Sequence, residues 1–192
     1  IEGWNALEKI VREIPDRIVT IADGKRGDIG NTSKQYARAI FEEWGFDAQT
    51  VNPYLGMDAL QPFLDYTEKG VFILCLTSNT GANDFQRLSV DGEPLFCRVA
   101  SRAVEANTGG NCGLVTGATQ TGDFPRLRQI APGLPFLIPG IGAQGGDLES
   151  AVLHGTDENA EKALINSSRG ILYVSQGKDF SEKSREAART LR

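Results

Sequence analysis

Short apolar runs alternate with amphipathic segments along the chain. Runs rich in β-branched and aromatic residues, bounded by Gly, Pro or Asn, predict strands. These six runs are "RIVTIAD" (17–23), "DAQTVNP" (47–53), "VFILCLT" (71–77), "CGLVTG" (112–117), "PFLIPG" (135–140) and "GILYVS" (170–175). Helical patterns lie between them, from the amphipathic start "IEGWNALEKIVREIP", through the segment around "DLESAVLHGTDENAEKALINS", to a charged terminal helix from about Ser181.

This alternation predicts an α/β fold in which parallel strands are joined by helical crossovers. Two architectures satisfy it, an open doubly wound sheet and a closed (β/α)8 barrel. In both, functional groups gather at the carboxyl ends of the strands. The long polar loop 78–93 is either a binding loop or a mobile surface excursion.

Composition narrows the class of protein. The chain has 192 residues, 40% of them hydrophobic, with a net charge of −5 and a pI near 5.0. We therefore expect one globular domain over 1–192 and no nucleic-acid partner, because phosphate backbones are bound by clustered Lys and Arg. No apolar run is long enough to span a bilayer. The 3 cysteines have no metal-site spacing and suit reduced thiols, mostly packed in strands, in a cytoplasmic protein.

The first candidate site is the stretch "IADGKRGDIGNT" (21–32), which follows an apolar run. Asp23 and Lys25 are two apart and share one face of a regular strand. Asp28, beyond the turn at Gly27, is placed to approach the same lysine from the other side. An ammonium held between two carboxylates is a positioned proton donor. A surface ion-pair network and a magnesium site at the two carboxylates are the alternatives.

The second candidate site is "PGIGAQGGD" (139–147), which contains G-x-G-x-x-G between the last two predicted strands. A dinucleotide fingerprint normally opens the first βαβ unit, whereas barrels bind phosphate at this later position. The turn with Gly142, the amide of Gln144 and the guanidinium of Arg169 therefore predict a phosphate grip. Plain turn glycines and a surface arginine are the alternative.

Taken in order, "DGKRGDIGNT", "TSNTG", "PGIGAQGGD" and "SSRGILY" resemble the orotidine 5′-phosphate decarboxylase family, its bacterial-type branch in particular. The resemblance implies a (β/α)8 TIM barrel and metal-independent conversion of orotidine monophosphate to uridine monophosphate and CO2, without a cofactor. It also implies roles for individual residues. These are Lys25 as proton donor, Asp23 and Asp28 as its carboxylates, Ser78 at the pyrimidine ring, Pro139 and Ile141 beside the base, and Gln144 and Arg169 at the phosphate.

The same resemblance implies a homodimer in which Asp28, Ile29 and Thr32 reach the active site of the partner subunit. It also reveals a departure, since the family barrel has eight strands and about six are represented here. The two earlier family strands carry a ribose-binding aspartate and a second lysine. We therefore expect an amino-terminally incomplete barrel with an incomplete set of site residues.

Two other functions stay open at this point. Magnesium-dependent sugar-phosphate decarboxylases and hexulose-phosphate synthases share the barrel and the D-x-K-x-x-D pattern, although "DIGNT" and "PGIGAQGGD" favour the first interpretation. A non-catalytic, phosphate-binding remnant is the third hypothesis.

Overall fold

The structure, a computed structural model, describes residues 1–142 and 145–191. The chain divides into two compact units. The first unit comprises Ile1–Leu74 with Glu105–Gly113, and the second comprises Cys75–Val104 with Leu114–Arg192.

Strands and helices alternate as predicted. Up to residue 76 the elements are α1 (Glu2–Glu13), β1 (Ile21–Arg26), α2 (Gly30–Arg38), β2 (Ala48–Val51), α3 (Met57–Leu64) and β3 (Gly70–Leu76). They continue with α4 (Ala82–Phe85), β4 (Ser89–Val90), β5 (Glu93–Pro94), α5 (Leu95–Ala106), β6 (Cys112–Thr116), α6 (Phe124–Ile130), β7 (Phe136–Pro139), α7 (Leu148–Gly155), β8 (Ala163–Asn166), α8 (Arg169–Leu172) and α9 (Phe180–Thr190). Apart from the short antiparallel hairpin β4–β5, the strands of the described residues are parallel.

In the first unit, β1 pairs with β2 and β2 pairs with β3. The four residues of β2 are all buried, as expected for a central parallel strand that is covered on both faces. Phe41, which follows α2, packs edge-on against Phe63 of α3 at 6.4 Å between ring centres. The parallel pairing of β1 with β2 places the carboxyl ends of these two strands side by side.

In the second unit, β6 pairs with β7 and β7 pairs with β8. Phe124 of α6 packs edge-on against Phe136 of β7, with 6.1 Å between the ring centres. The register joins Pro139 to Asn166, the last residues of β7 and β8. The chain segments that follow these two residues therefore leave the sheet at the same edge.

The predicted strand "GILYVS" is wrong. The last strand is β8, at residues 163–166, and residues 169–172 form the short helix α8. Tyr173 is 73% exposed, so this apolar run is not a core strand. The predicted bounds of the first strand, 17–23, are also wrong, because Ile18 and Val19 are exposed and β1 begins at Ile21.

The first predicted helix is confirmed as α1, with an apolar stripe that stays largely exposed apart from a contact between Trp4 and Trp44 at 5.6 Å. Within the described residues, no helix has both the length and the apolar character that a membrane span requires.

The cysteines are free and buried, as predicted. Burial raises the pKa of the Cys112 thiol to about 11 and raises that of Cys75 further. Both thiols are therefore protonated packing groups rather than nucleophiles.

Candidate active site

Lys25 and Asp23 form an ion pair at the carboxyl end of β1. The Lys25 Nζ lies 2.5 Å from Oδ1 of Asp23, and both side chains are about half exposed, at 47% and 62%. The predicted pairing is confirmed, but a regular strand does not produce it. The β1–β2 register shifts between Ala22 and Arg26, and Lys25 has a φ of +45°, in the left-handed region that disfavours side chains.

The buried hydroxyl of Thr50, on β2, contacts both members of this pair. It accepts a hydrogen bond from the backbone N–H of Lys25 at 2.9 Å and donates one to Oδ1 of Asp23 at 3.0 Å. Thr50 is completely buried. The neighbouring strand β2 thus supplies a buried hydroxyl group that contacts both Lys25 and Asp23.

Gly24 lies between the two charged residues, where a side chain has no space. A Cβ atom there would lie 2.8 Å from Nε2 of Gln49, which is itself completely buried. At Gly27 a Cβ atom would lie 3.1 Å from the carbonyl oxygen of Asn52. Glycine at these positions lets the end of β1 lie directly on β2.

The structure does not complete the predicted clamp around the lysine. Among the ion pairs of the described residues, Lys25 pairs with Asp23 and not with Asp28. The Asp28 carboxylate instead accepts a hydrogen bond from the N–H of Ile29 at 2.8 Å. Ile29, which precedes α2, is 63% exposed, and Thr32 in the first turn of α2 is exposed too. Within one chain, Ile29 and Thr32 are exposed and Asp28 is partly buried.

The backbone around Ser78 is held by side-chain amides. Gln86 accepts from the N–H of Thr77 at 2.7 Å and donates to its hydroxyl at 2.9 Å. Gln120 donates to the Thr77 carbonyl at 3.1 Å, and Thr119 donates to the Ser78 carbonyl at 3.0 Å. Ser78 therefore sits in a segment that is bonded on both of its peptide groups.

The loop 78–93 is not an unstructured excursion. It contains α4 and leads into the hairpin β4–β5. Arg87 anchors it by donating to Asp123 at 2.5 Å and to Gln120 at 2.6 Å. These contacts argue against a mobile excursion, and a binding role for this segment stays a prediction.

The glycine turn follows β7 as predicted. Pro139 ends the strand, and the buried Ile141 forms a parallel bridge with Gly146. Gly142 and Gly145 have φ values of +74° and +82°, which favour glycine. Gln144 lies outside the described residues.

The polar groups of this turn differ from the prediction for an anion site. The N–H groups of Gly142, Gly145 and Gly146 donate to carbonyl groups within the turn at 2.8–3.3 Å. Asp147 caps α7 by accepting from the N–H of Ser150 at 3.0 Å. Hydrogen bonds from the Ser150 side chain and backbone lower the pKa of the Asp147 carboxyl group. Because these donors are occupied, a phosphate has to be bound by other groups.

Arg169 is exposed at the start of α8, three residues after Asn166. The predicted strand 170–175 would begin directly after Arg169 and would put this residue at the amino edge of the sheet. Since it follows β8, it lies at the carboxyl edge, where the glycine turn also leaves β7. The error in the last strand therefore moves Arg169 to the edge where a phosphate-binding role requires it to be.

Sequence reasoning missed Thr50 beside Lys25, and it missed Gln86 and Gly117 beside Ser78. A weak signal existed for Thr50, a polar residue in a buried strand beside the charged stretch. Gly117 follows β6, and a Cβ atom there would lie 2.4 Å from the Ser78 nitrogen. No local pattern reveals that approach.

Comparisons with known proteins agree with these features. Residues 1–182 match the family model described as "Orotidine 5'-phosphate decarboxylase / HUMPS family". The orotidine 5'-phosphate decarboxylase of Dehalococcoides mccartyi is 53% identical over 195 residues, covering 100% of this chain and 72% of that protein. The enzyme of the same name from Herpetosiphon aurantiacus is 47% identical over 188 residues, which cover 97% of this chain and 69% of that protein.

Among solved structures, the OMP decarboxylase of Leishmania donovani superposes with a TM-score of 0.87 and 41% identity, covering 99% of this chain and 74% of that one. These comparisons confirm the predicted fold class, the (β/α)8 barrel. The described residues contain six parallel strands of it. Sequence match, strand order and structural similarity together show that the chain belongs to the orotidine 5'-phosphate decarboxylase / HUMPS family.

Proposed function

We propose that this chain decarboxylates orotidine 5′-phosphate to uridine 5′-phosphate and CO2 in pyrimidine synthesis, with Lys25 as the proton donor. The observation that carries the proposal is the Lys25–Asp23 pair, with its Nζ to Oδ1 distance of 2.5 Å at the end of β1. Relatives about half identical over the whole chain are named for this reaction, which favours it over the sugar-phosphate alternatives.

The chemistry requires a fixed positive charge. When the bond between C6 and the carboxylate breaks, the electron pair stays at C6, where no conjugated group accepts it. The Lys25 ammonium stabilises this developing carbanion and then transfers its proton to C6. We assign Asp23 to the side of the departing carboxylate, where its charge disfavours the bound substrate more than the transition state.

The resemblance to the family supports assigning further residues to the rest of the nucleotide. Ser78, whose peptide groups are bonded on both sides, is assigned to the pyrimidine ring. Pro139 and the buried Ile141 are assigned to the base. Arg169 is assigned to the phosphate, together with Gln144 and with Gly142 as part of the supporting turn. Because the described glycine amides are engaged within the turn, Arg169 is the principal charge in this assignment.

We also propose that two copies associate, so that Asp28, Ile29 and Thr32 of one copy serve the active site of the other. The exposure of Ile29, and the pairing of Lys25 with Asp23 rather than Asp28 among the described residues, support this arrangement. Mixing inactive Lys25→Ala and Asp28→Asn proteins tests it. Random exchange would restore roughly a quarter of the wild-type activity, since half of the dimers would contain one intact site. No recovery after proven exchange would contradict sharing.

The free, buried thiols support the predicted cytoplasmic location, where cysteines stay reduced.

The decisive experiment is a spectrophotometric orotidine monophosphate assay with and without a divalent-metal chelator. We expect turnover that survives complete chelation; loss of turnover on chelation would favour the magnesium-dependent alternative.

Lys25→Ala should abolish turnover while uridine monophosphate still binds. The matched control is Lys34→Ala, an exposed lysine of α2, which should retain full activity. Binding without turnover in the unaltered protein would favour the non-catalytic hypothesis.

A further inference from the structure

Thr50 is a completely buried polar residue whose hydroxyl group is fully used. It accepts from the Lys25 backbone and donates to the Asp23 carboxylate, at 2.9 Å and 3.0 Å. A threonine hydroxyl carries one hydrogen, so donating to the carboxylate leaves only its lone pairs for the lysine N–H. Both contacts therefore have one defined direction.

These contacts occur where the strand pairing is interrupted. Between Ala22 and Arg26 the β1–β2 register shifts, so the regular ladder does not fix the Lys25 backbone. Lys25 also adopts a φ of +45°, which persists in a residue with a side chain only when the surroundings enforce it. The hydrogen bond to Thr50 is a contact that enforces it.

We infer that Thr50 is a positioning residue, which fixes the direction of the Lys25 ammonium by holding the lysine backbone and the Asp23 carboxylate from one hydroxyl. The inference rests on the proposed role of Lys25 as proton donor. Thr50 itself does not reach the substrate in this scheme. Its loss should therefore affect the chemical step and leave nucleotide binding intact.

Thr50→Val tests the inference, because valine keeps the shape and the strand preference of threonine and removes the hydroxyl. We expect kcat to fall about 10- to 100-fold, because proton transfer depends on the orientation of the reacting groups. The KM for orotidine monophosphate and the Kd for uridine monophosphate should change by less than about twofold, since the contacts that bind the nucleotide are unaffected. Thr50→Ser retains the hydroxyl and should restore most of kcat.

Thr116→Val is the matched control. Thr116 is also a completely buried strand threonine, and in the described part of the chain its hydroxyl has no hydrogen-bond partner. Its replacement removes an identical group without removing a contact, so kcat should stay at the wild-type value. An equal loss of kcat in both variants, or failure of Thr50→Ser to restore kcat, would overturn the inference.

A second measurement does not depend on turnover. Thr50→Val and Asp23→Asn are combined, and urea midpoints are measured for the wild type, the single variants and the pair. We expect Thr50→Val to lower the midpoint less in the Asp23→Asn background, because the shared hydrogen bond is already weakened. Additive shifts would overturn the inference. Absence of turnover in the wild type would instead contradict the proposed function, and the coupling would still decide the contact.

Discussion

The guanidinium carbon of Arg128 lies 3.7 Å from the centre of the Phe136 ring. The same guanidinium donates to the carbonyl groups of Leu134 at 2.8 Å and of Gly155 at 2.5 Å. Burial lowers the pKa of Arg128, partly offset by Asp157. One side chain of α6 therefore joins the start of β7 to the end of α7.

We predict that Arg128→Met lowers the free energy of unfolding by about 2–4 kcal/mol, because carbonyl groups lose charged hydrogen-bond donors. Urea unfolding measures this. Arg126→Met on the same helix is the control, since the pair that Arg126 forms with Glu93 at 3.3 Å is exposed and its loss should cost less than about 1 kcal/mol. Equal losses in the two variants would contradict the structural role of Arg128.

Gly117 supplies the second prediction. Its backbone has φ −67° and ψ 138°, which any residue adopts, so only space prevents a side chain there. An alanine Cβ would lie 2.4 Å from the Ser78 nitrogen and 2.7 Å from its Cα. We expect Gly117→Ala to cost about 1–3 kcal/mol in stability. By displacing Ser78, it should also lower kcat/KM for orotidine monophosphate at least tenfold.

Gly122→Ala is the control for this substitution, because a Cβ atom there meets nothing within 4 Å. Its kcat/KM should equal that of the wild type. If Gly117→Ala also retains full kcat/KM, Ser78 does not need its present position for turnover.

The contrast between β1 and β2 shows what sequence patterns can and cannot predict. The pattern located Asp23 and Lys25 at a strand end, because charged residues after an apolar run have few other placements in an α/β fold. It could not show the register shift or the φ of +45° at Lys25, which occur where the chain contacts Thr50 in the neighbouring strand. Contacts between strands are tertiary information.

The last strand shows a different limit. A short apolar run such as 170–175 has no period that separates a strand from a helix. The true strand β8 has four residues and lay within a segment predicted as helix. Arg169 was still identified by its chemistry and motif, although its placement was wrong.

Asp47 gives a prediction for pH. Partial burial acts to raise the pKa of its carboxyl group, but hydrogen bonds from the Thr20 backbone and hydroxyl, both 2.8 Å, lower it overall. The folded-state pKa of Asp47 therefore lies below its unfolded-state value of about 4. The ionised carboxylate stabilises the folded protein above the unfolded-state pKa. This stabilisation is lost as the pH falls through the folded-state pKa.

We therefore expect Asp47→Asn to lower the urea midpoint at pH 7, with the difference from wild type shrinking as the pH falls below about 4. Asp16→Asn, at an exposed aspartate, should leave the midpoint nearly unchanged at both pH values. A difference for Asp47→Asn that is constant with pH would show that its charge does not stabilise the fold.

Arg169 provides the prediction that separates phosphate binding from base binding. Because the glycine amides are engaged within their turn, the charge for a phosphate falls mainly to this guanidinium. Losing charge-assisted hydrogen bonds worth about 1.5–3 kcal/mol should weaken uridine monophosphate binding about 10- to 150-fold in Arg169→Ala. Affinity for uridine, which lacks the phosphate, should not change.

Arg169→Lys should recover only part of the loss, since an ammonium cannot bind two phosphate oxygens in the guanidinium geometry. Calorimetry with both ligands measures this, and Arg185→Ala, at an exposed arginine of α9, is the matched control. Equal weakening of both ligands would assign Arg169 to the fold of the site, and unchanged binding of both would remove it from the site.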